Sequence, residues 1–291
     1  MPRRVGFPAG VPAWIETNQP DPDAAAEFYS GLFGWRFDDR SVGTPGRRYL
    51  VATLDGDDVA AVGSLLPDDE TGPAWNTYVD VEDVDAAAES VVSAGGRVIA
   101  GPADAGDLGR VAACTDPAGA TFRVLQPGAL KGAAAVNAPG TWNFSELNTR
   151  DIEGARRFYK AVFGWEAEAS GADLNAASVN GADAASLMVR LPGYADFLEQ
   201  FDPGLRKRHA EFGAPPGFSE CVAWILPLTD ETATPHWSVT FAVADTDDIV
   251  ERVRRLGGSV VTEPIDVPPT RLAVVRDPAG AQFTVSAFNP G

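Results

Sequence analysis

The chain has 291 residues, 45% hydrophobic and 22% charged, with a formal net charge of −18 and a pI near 4.4. That length suggests about two domains, each able to bury a core, and the composition is that of a folded rather than a disordered protein. The acidity argues against nucleic acid or an anionic membrane face as a partner, since both reward clustered Lys and Arg.

Met1-Pro2-Arg3-Arg4 has no apolar stretch behind it and no run of roughly 18 apolar residues follows, so neither a secretory leader nor a membrane span is expected. "AWIETNQ" (13–19) reads as a strand. Behind it, "DPDAAAEFYSGLFGWRF" (21–37) places Ala25, Phe28, Tyr29 and Leu32 at helical intervals. Asp21 is the N-cap, Asp23 favours the positive helix end, and Gly34 permits the exit. "WNTYVDV" (75–81) is the next strand, and "DVDAAAESVVSAGGRVI" from Asp83 the next helix, followed by β-rich stretches and a "DPAG" turn at 116–119.

Small, aperiodic residues then fill 128–138, a linker. "WNFSELNT" (142–149) opens a second strand-and-helix unit, with Ala155, Phe158, Tyr159 and Val162 on the helix stripe. An aromatic-rich stretch follows, including "GYADFLEQFDPGLRKRHAEFGAPPGFSE" (193–220). "WSVTFAV" (237–243), a helix from Asp245 with Ile249, Val253 and Leu256, and a "DPAG" turn at 277–280 complete the chain.

The order is repetitive. From Asp21, Asp83, Asp151 and Asp245 to Gly34, Gly96, Gly164 and Gly258 the spacing is always 13 residues. Glu16, Asn18, Phe28, Tyr29 and Phe33-Gly34-Trp35 recur 130 residues later as Glu146, Asn148, Phe158, Tyr159 and Phe163-Gly164-Trp165. The chain is a duplicated domain whose halves are themselves duplicated, each unit being a strand, a helix and further strands. Trp35 to Trp75 spans 40 residues but Trp165 to Trp237 spans 72, so the second domain carries an inserted segment, placed at 192–233 and read as a lid or packing flap.

The "D-x-D-x-A-x-x-FY…FGW" pattern, "V-x-D-x-D" after a strand and the paired "DPAG-x-x-F" turns resemble the vicinal oxygen chelate superfamily of glyoxalase I, bleomycin-resistance proteins and extradiol dioxygenases. "WNFSELNTRD…FYKAVFGWE" and "VVRDPAGAQFTVS" resemble its two-domain bacterial glyoxalase-like branch. The resemblance implies an α+β fold of four tandem βαβββ modules in two half-open barrel domains, 8–127 and 139–289, each around a cavity.

Metal-dependent members carry His or Glu on the first strand of each module and on the last strand. The corresponding positions here are Trp14, Asn76 and Arg123 in domain one, and Phe144, Ser238 and Thr284 in domain two. None is a usual donor for a divalent ion, which takes imidazole, carboxylate or thiolate. His236, two residues before Ser238, shares its strand face, but a lone imidazole among hydroxyls is a poor site. Cys114 and Cys221 lack metal-type spacing, so a reduced, cytoplasmic protein is expected with neither metal nor cofactor.

Period-two counting puts Trp14, Glu16 and Asn18 on one strand face, and Phe144, Glu146 and Asn148 on its counterpart. If the ancestral metal positions face the cavities, so do both glutamates. Arg123 is the expected partner of Glu16 in a buried ion pair. Thr284 replaces it in domain two, leaving Glu146 without that cation and with its pKa pushed up by burial, as a general acid or base requires.

Trp35 and Trp165 read as core, and Trp75 and Trp237 as core or cavity mouth. Tyr194, Phe197, Phe201, Phe212 and Phe218 read as a pocket cap or as surface packing. His209 follows Arg206-Lys207-Arg208, an exposed helix face or an anion attractor. Domain two is the expected working pocket for a small, partly aromatic metabolite, with Glu146 and His236 as candidate catalytic groups. The binding candidates are Phe144, Asn148, Ser238, Thr284, Trp237, Trp14, Glu16, Asn76 and Arg123. Three readings remain: a binding protein, a cofactor-free tailoring enzyme (isomerase, cyclase or lyase), and a purely structural module. A homodimer is compatible with all three.

Overall fold

The computed structural model describes residues 3–41, 46–65, 72–169 and 186–289. Among the described residues sixteen strands form two open, mixed sheets of eight, ordered β2-β3-β4-β1-β5-β8-β7-β6 and β10-β11-β12-β9-β13-β16-β15-β14. The outer strands are β2 (Arg36–Asp39), β3 (Tyr49–Leu54), β6 (Arg97–Asp104) and β7 (Gly109–Thr115) in the first and β10 (Glu166–Ala169), β11 (Leu187–Arg190), β14 (Ser259–Val267) and β15 (Thr270–Arg276) in the second. In the first, β1 (Pro12–Gln19) and β5 (Ala74–Asp80) run antiparallel at the centre, and each is flanked by the last strand of its own module running parallel, β4 (Asp57–Ser64) and β8 (Thr121–Pro127). The second sheet repeats this around β9 (Thr141–Thr149) and β13 (His236–Val243), flanked by β12 (Cys221–Pro227) and β16 (Gln282–Phe288). A symmetric order of this kind is what two copies of one module produce when they pair by their first strands.

The helices follow the expected caps. Asp21 accepts from the Ala24 N–H at 3.0 Å at the head of α1 (Pro22–Phe33), and Asp151 from the Gly154 N–H at 2.8 Å at the head of α3 (Ile152–Phe163). Gly34 and Gly164 close them in the left-handed region, φ 77° and 73°. The other two helices depart from the 13-residue rule. α2 (Val84–Ser93) and the helix Thr246–Arg255 end earlier, and Gly95 and Gly257 make the left-handed turn, one residue before the repeated glycine. Gly96 and Gly258 are needed for space instead: a Cβ on either would lie 2.5 Å from a carbonyl oxygen of the neighbouring strand. Leu256, expected on the buried stripe, is that helix's cap and is 36% exposed.

The insertion is shorter than its expected range. Two short helices, α4 (Tyr194–Glu199) and α5 (Leu205–Glu211), precede residues 221–227, which are β12 and pair with β9. The inserted segment is therefore a detour between β11 (Leu187–Arg190) and β12. The helix Thr246–Arg255 is α6.

The two hydrophobic cores each join modules from both domains. Phe28, Tyr29 and Phe33 of α1 pack with Phe241 of β13 and Phe283 of β16, while Phe122 of β8 packs with Phe158, Tyr159 and Phe163 of α3. Trp75 and Trp237 sit in these cores, their indole N–H groups donating to Tyr29 (3.1 Å) and Tyr159 (2.9 Å). Trp35 and Trp165 are buried and donate across the domain boundary to the Gly140 and Gly10 carbonyls.

Candidate functional site

A cavity of about 1740 Å³ opens into the second sheet. Its floor comes from alternate residues of three strands: Phe144, Glu146 and Asn148 of β9, Ser238 and Thr240 of β13, and Thr284 and Ser286 of β16. Strand register brings them together, since Glu146 lies opposite Ser238, Phe144 opposite Thr240, and Thr240 opposite Thr284. Trp224 of β12 and Phe218 of the insertion meet the Phe144 ring edge-on at 6.3 and 6.2 Å. The mouth is bounded by α4 and α5 and by the N-terminal segment, where Arg4 donates to the Tyr194 hydroxyl.

Glu146 is held by hydroxyls. Thr240 donates to Oε1 at 2.7 Å and Ser238 to Oε2 at 3.2 Å; Asn148 Nδ2 in turn donates to Ser238 Oγ at 3.0 Å. Burial outweighs these donors and pushes its carboxyl up to about 7. The sequence reading missed Thr240, whose hydroxyl is nearer the carboxylate than that of Ser238; counting two residues onward from Ser238 would have found it.

The equivalent interior of domain one is filled differently. Beside Glu16 stand Trp14, Tyr49 and Tyr78, the last occupying the place of Thr240, and Arg123 lies over the Tyr78 ring at 5.6 Å. With its amide turned to suit its neighbours, Asn18 donates to Glu16 Oε1 at 3.2 Å and accepts from Arg123 Nη2 at 2.9 Å. Asn18 thus touches both Glu16 and Arg123. Asn76 stands opposite Glu16 and donates to the Ala74 carbonyl, 3.4 Å away. Large side chains crowd this interior, whereas Thr240 and Thr284 leave the second one open.

The other expected residues fall into place around the cavity. His236 lines its rim opposite Asn148, with Nδ1 2.8 Å from the Thr234 carbonyl. Trp237 faces away from Glu146 into the core. His209 rests on the Phe218 ring at 5.2 Å with Nδ1 2.9 Å from Ser219 Oγ, and burial, then Arg208, lowers its pKa. The expected cationic patch is compensated, Arg206 pairing with Asp196 and Glu199, Lys207 with Glu211, and Arg208 with Asp202. Phe197 and Phe201 pack on one another within the lid.

The family model described as Glyoxalase/Bleomycin resistance protein/Dioxygenase superfamily matches residues 12–124 and 143–285. The chain belongs to that superfamily. It is 36% identical over 288 residues to CFP32 of Mycobacterium tuberculosis (strain CDC 1551 / Oshkosh), whose name assigns it provisionally to the glyoxylases, covering 98% of this chain and 97% of that one. It is 35% identical to the anthracycline biosynthesis protein DnrV of Streptomyces peucetius, over 98% of this chain and 96% of the relative. A Mn(II)-bound glyoxalase from Novosphingobium aromaticivorans shares the fold, with a TM-score of 0.58 and 17% identity over 96% of this chain and 82% of that one.

At the positions where metal-dependent members of this superfamily carry donors, the open cavity presents an aromatic ring and two hydroxyls, Phe144, Ser238 and Thr284. Among the described residues no three His, Cys, Asp or Glu side chains converge. This donor set does not fit a divalent cation.

Proposed function

We propose that this chain is a metal-independent member of its superfamily that binds a flat, partly aromatic organic metabolite in the cavity of domain two. One observation carries the reading: a cavity of about 1740 Å³ with aromatic walls and a hydroxyl-ringed carboxyl at its floor. Pockets of roughly 300–1,000 Å³ serve ordinary small ligands, so this volume favours a fused-ring molecule over a two- or three-carbon substrate. The naming of DnrV and DauV, 35% identical, for anthracycline biosynthesis supports that size and chemistry. The test is titration with 9-anthracenemethanol, a neutral fluorescent three-ring probe. Saturable binding at one site per chain is expected, and Thr240→Tyr, which restores the domain-one side chain, should weaken it at least tenfold. Absence of saturable binding to the native chain overturns the reading.

A second reading rests on Glu146 itself. A carboxyl titrating near neutrality, its two oxygens held by Thr240 and Ser238, suits proton transfer in an isomerisation, cyclisation or elimination. That reading predicts consumption of the metabolite by the native chain and its loss in Glu146→Gln with binding retained; binding without turnover leaves the first reading alone.

A further inference from the structure

The two domains pose the same electrostatic problem and only one contains the answer. In domain one the amide oxygen of Asn18 meets a guanidinium: Asn18 donates to Glu16 Oε1 and accepts from Arg123 Nη2, and Arg123 lies over the Tyr78 ring. In domain two the carboxylate and the amide are retained at the same strand positions, Glu146 and Asn148, but the last-strand residue is Thr284. No Lys or Arg enters the surroundings that set the Glu146 carboxyl, which are burial and hydroxyl donors. Asn148 spends its Nδ2 on Ser238 Oγ and the Glu146 carbonyl, and among the described residues no donor meets its Oδ1. A half-buried carboxylate that accepts only from neutral hydroxyls, and a buried amide oxygen beside it, thus face open space where the sister domain holds a cation.

Arg4 and Arg276 also line the cavity, on the Tyr194 hydroxyl and on Gln282 respectively, but neither is among the groups that set the Glu146 carboxyl. A net charge of −18 draws cations from solution, and the arginines of α5 near the mouth are paired with carboxylates of their own segment. Phe144 and Trp224 then flank the position with ring faces and edges suited to an aromatic body.

We infer that the ligand of domain two carries a basic amine, and that its ammonium occupies the place held in domain one by the Arg123 guanidinium, donating to Glu146 and Asn148. The inference rests on the aromatic-metabolite reading above and narrows it to ring systems bearing an amine. No bond is made or broken in this recognition. An ammonium has three donors and no acceptor, which matches two carboxylate oxygens and an amide oxygen and mismatches a carboxylate-bearing ligand.

Three probes with one ring system separate the possibilities: 9-(aminomethyl)anthracene, 9-anthracenemethanol and 9-anthracenecarboxylic acid, each titrated into the full-length chain by calorimetry at pH 7.5. The amine should bind at least about tenfold tighter than the alcohol, and the acid weakest, as for a charge-assisted hydrogen bond in a desolvated site. Glu146→Gln should erase the amine's advantage over the alcohol, with unchanged far-ultraviolet circular dichroism certifying that the variant is folded. Thr284→Arg, which supplies the missing cation from the protein, should erase it independently. Equal binding of amine and alcohol, or an amine preference that survives both substitutions, overturns the inference while leaving the aromatic-cavity reading intact. Failure of all three probes to saturate overturns that reading, and the inference with it.

Discussion

Glu16 and Glu146 stand at equivalent positions of equivalent strands, and their different surroundings come from a handful of neighbours. Tyr78 and Arg123 crowd and compensate the first; Thr240 and Thr284 uncover the second and leave it to hydroxyls. The consequence is measurable as stability. The folded-state pKa of Glu146 is raised to about 7 against an ordinary value of 4.5, so the native state retains a proton that the unfolded chain has released. Stability from this group is full below about pH 4.5 and is lost as pH rises through 7, by up to ~3 kcal/mol. Asp80, also raised to about 7 by burial, slopes the same way, so Glu146→Gln is needed to separate them. Urea midpoints should show the variant gaining on the native chain at pH 8 and not at pH 5; a constant difference would show that the carboxyl is solvated.

Much of this site was legible in the sequence, because the duplication supplies an internal control. The 130-residue displacement aligns Glu146 with Glu16, and Thr284 in the place of Arg123 marks the carboxyl that lacks this cation. Thr240 was not legible from the family's metal positions, which skip it, although strand alternation contains it.

Among the elements, the inserted segment supplies one wall of the cavity. Its two helices are short and lack side-chain N-caps, so tertiary anchors must hold them. Arg190, at the end of β11, is the main one: its guanidinium lies 3.0 Å from Glu168, 3.6 Å from Glu166 and 3.7 Å from Glu220, and Glu220 also accepts from the Gly193 N–H at 2.9 Å. Arg190→Ala leaves three carboxylates facing one another where the lid departs and returns. The expected result is a loss of about 1–2 kcal/mol and faster proteolysis within 191–220, with weaker 9-anthracenemethanol binding and unchanged far-ultraviolet circular dichroism. Collapse of the dichroism would make Arg190 a determinant of the sheet itself. The inserted segment ends before 233 because "CVAWILP" is a strand of the sheet. Its strand length and apolar run mark it as a buried strand once separated from the helices before it.

For the whole molecule, each hydrophobic core is shared between the two sequence repeats. α1 of domain one completes the core under β13 and β16, and α3 of domain two completes the core under β8. Reciprocal polar ties accompany this packing: Tyr29 donates to Asp277 at 2.9 Å with Gln19 at 2.7 Å, and Tyr159 donates to Asp116 at 3.2 Å. Those aspartates also organise the two "DPAG" turns through backbone N–H groups, so each turn is tied to the opposite domain's helix. Residues 139–291 expressed alone would expose Phe158, Tyr159 and Phe163 along one helix face and leave Asp277 without its tyrosine. Such a surface favours aggregation over an independent fold. Calorimetry of the full chain should therefore give one cooperative transition, and the isolated half an insoluble or molten product that regains native dichroism when co-expressed with residues 1–138. Tyr159→Phe should lower stability by about 1–2 kcal/mol without splitting that transition, because Asp116 retains its turn donors. Two resolved transitions, or a soluble half with native dichroism, would show that each barrel is self-sufficient and that the shared cores are contact surfaces only.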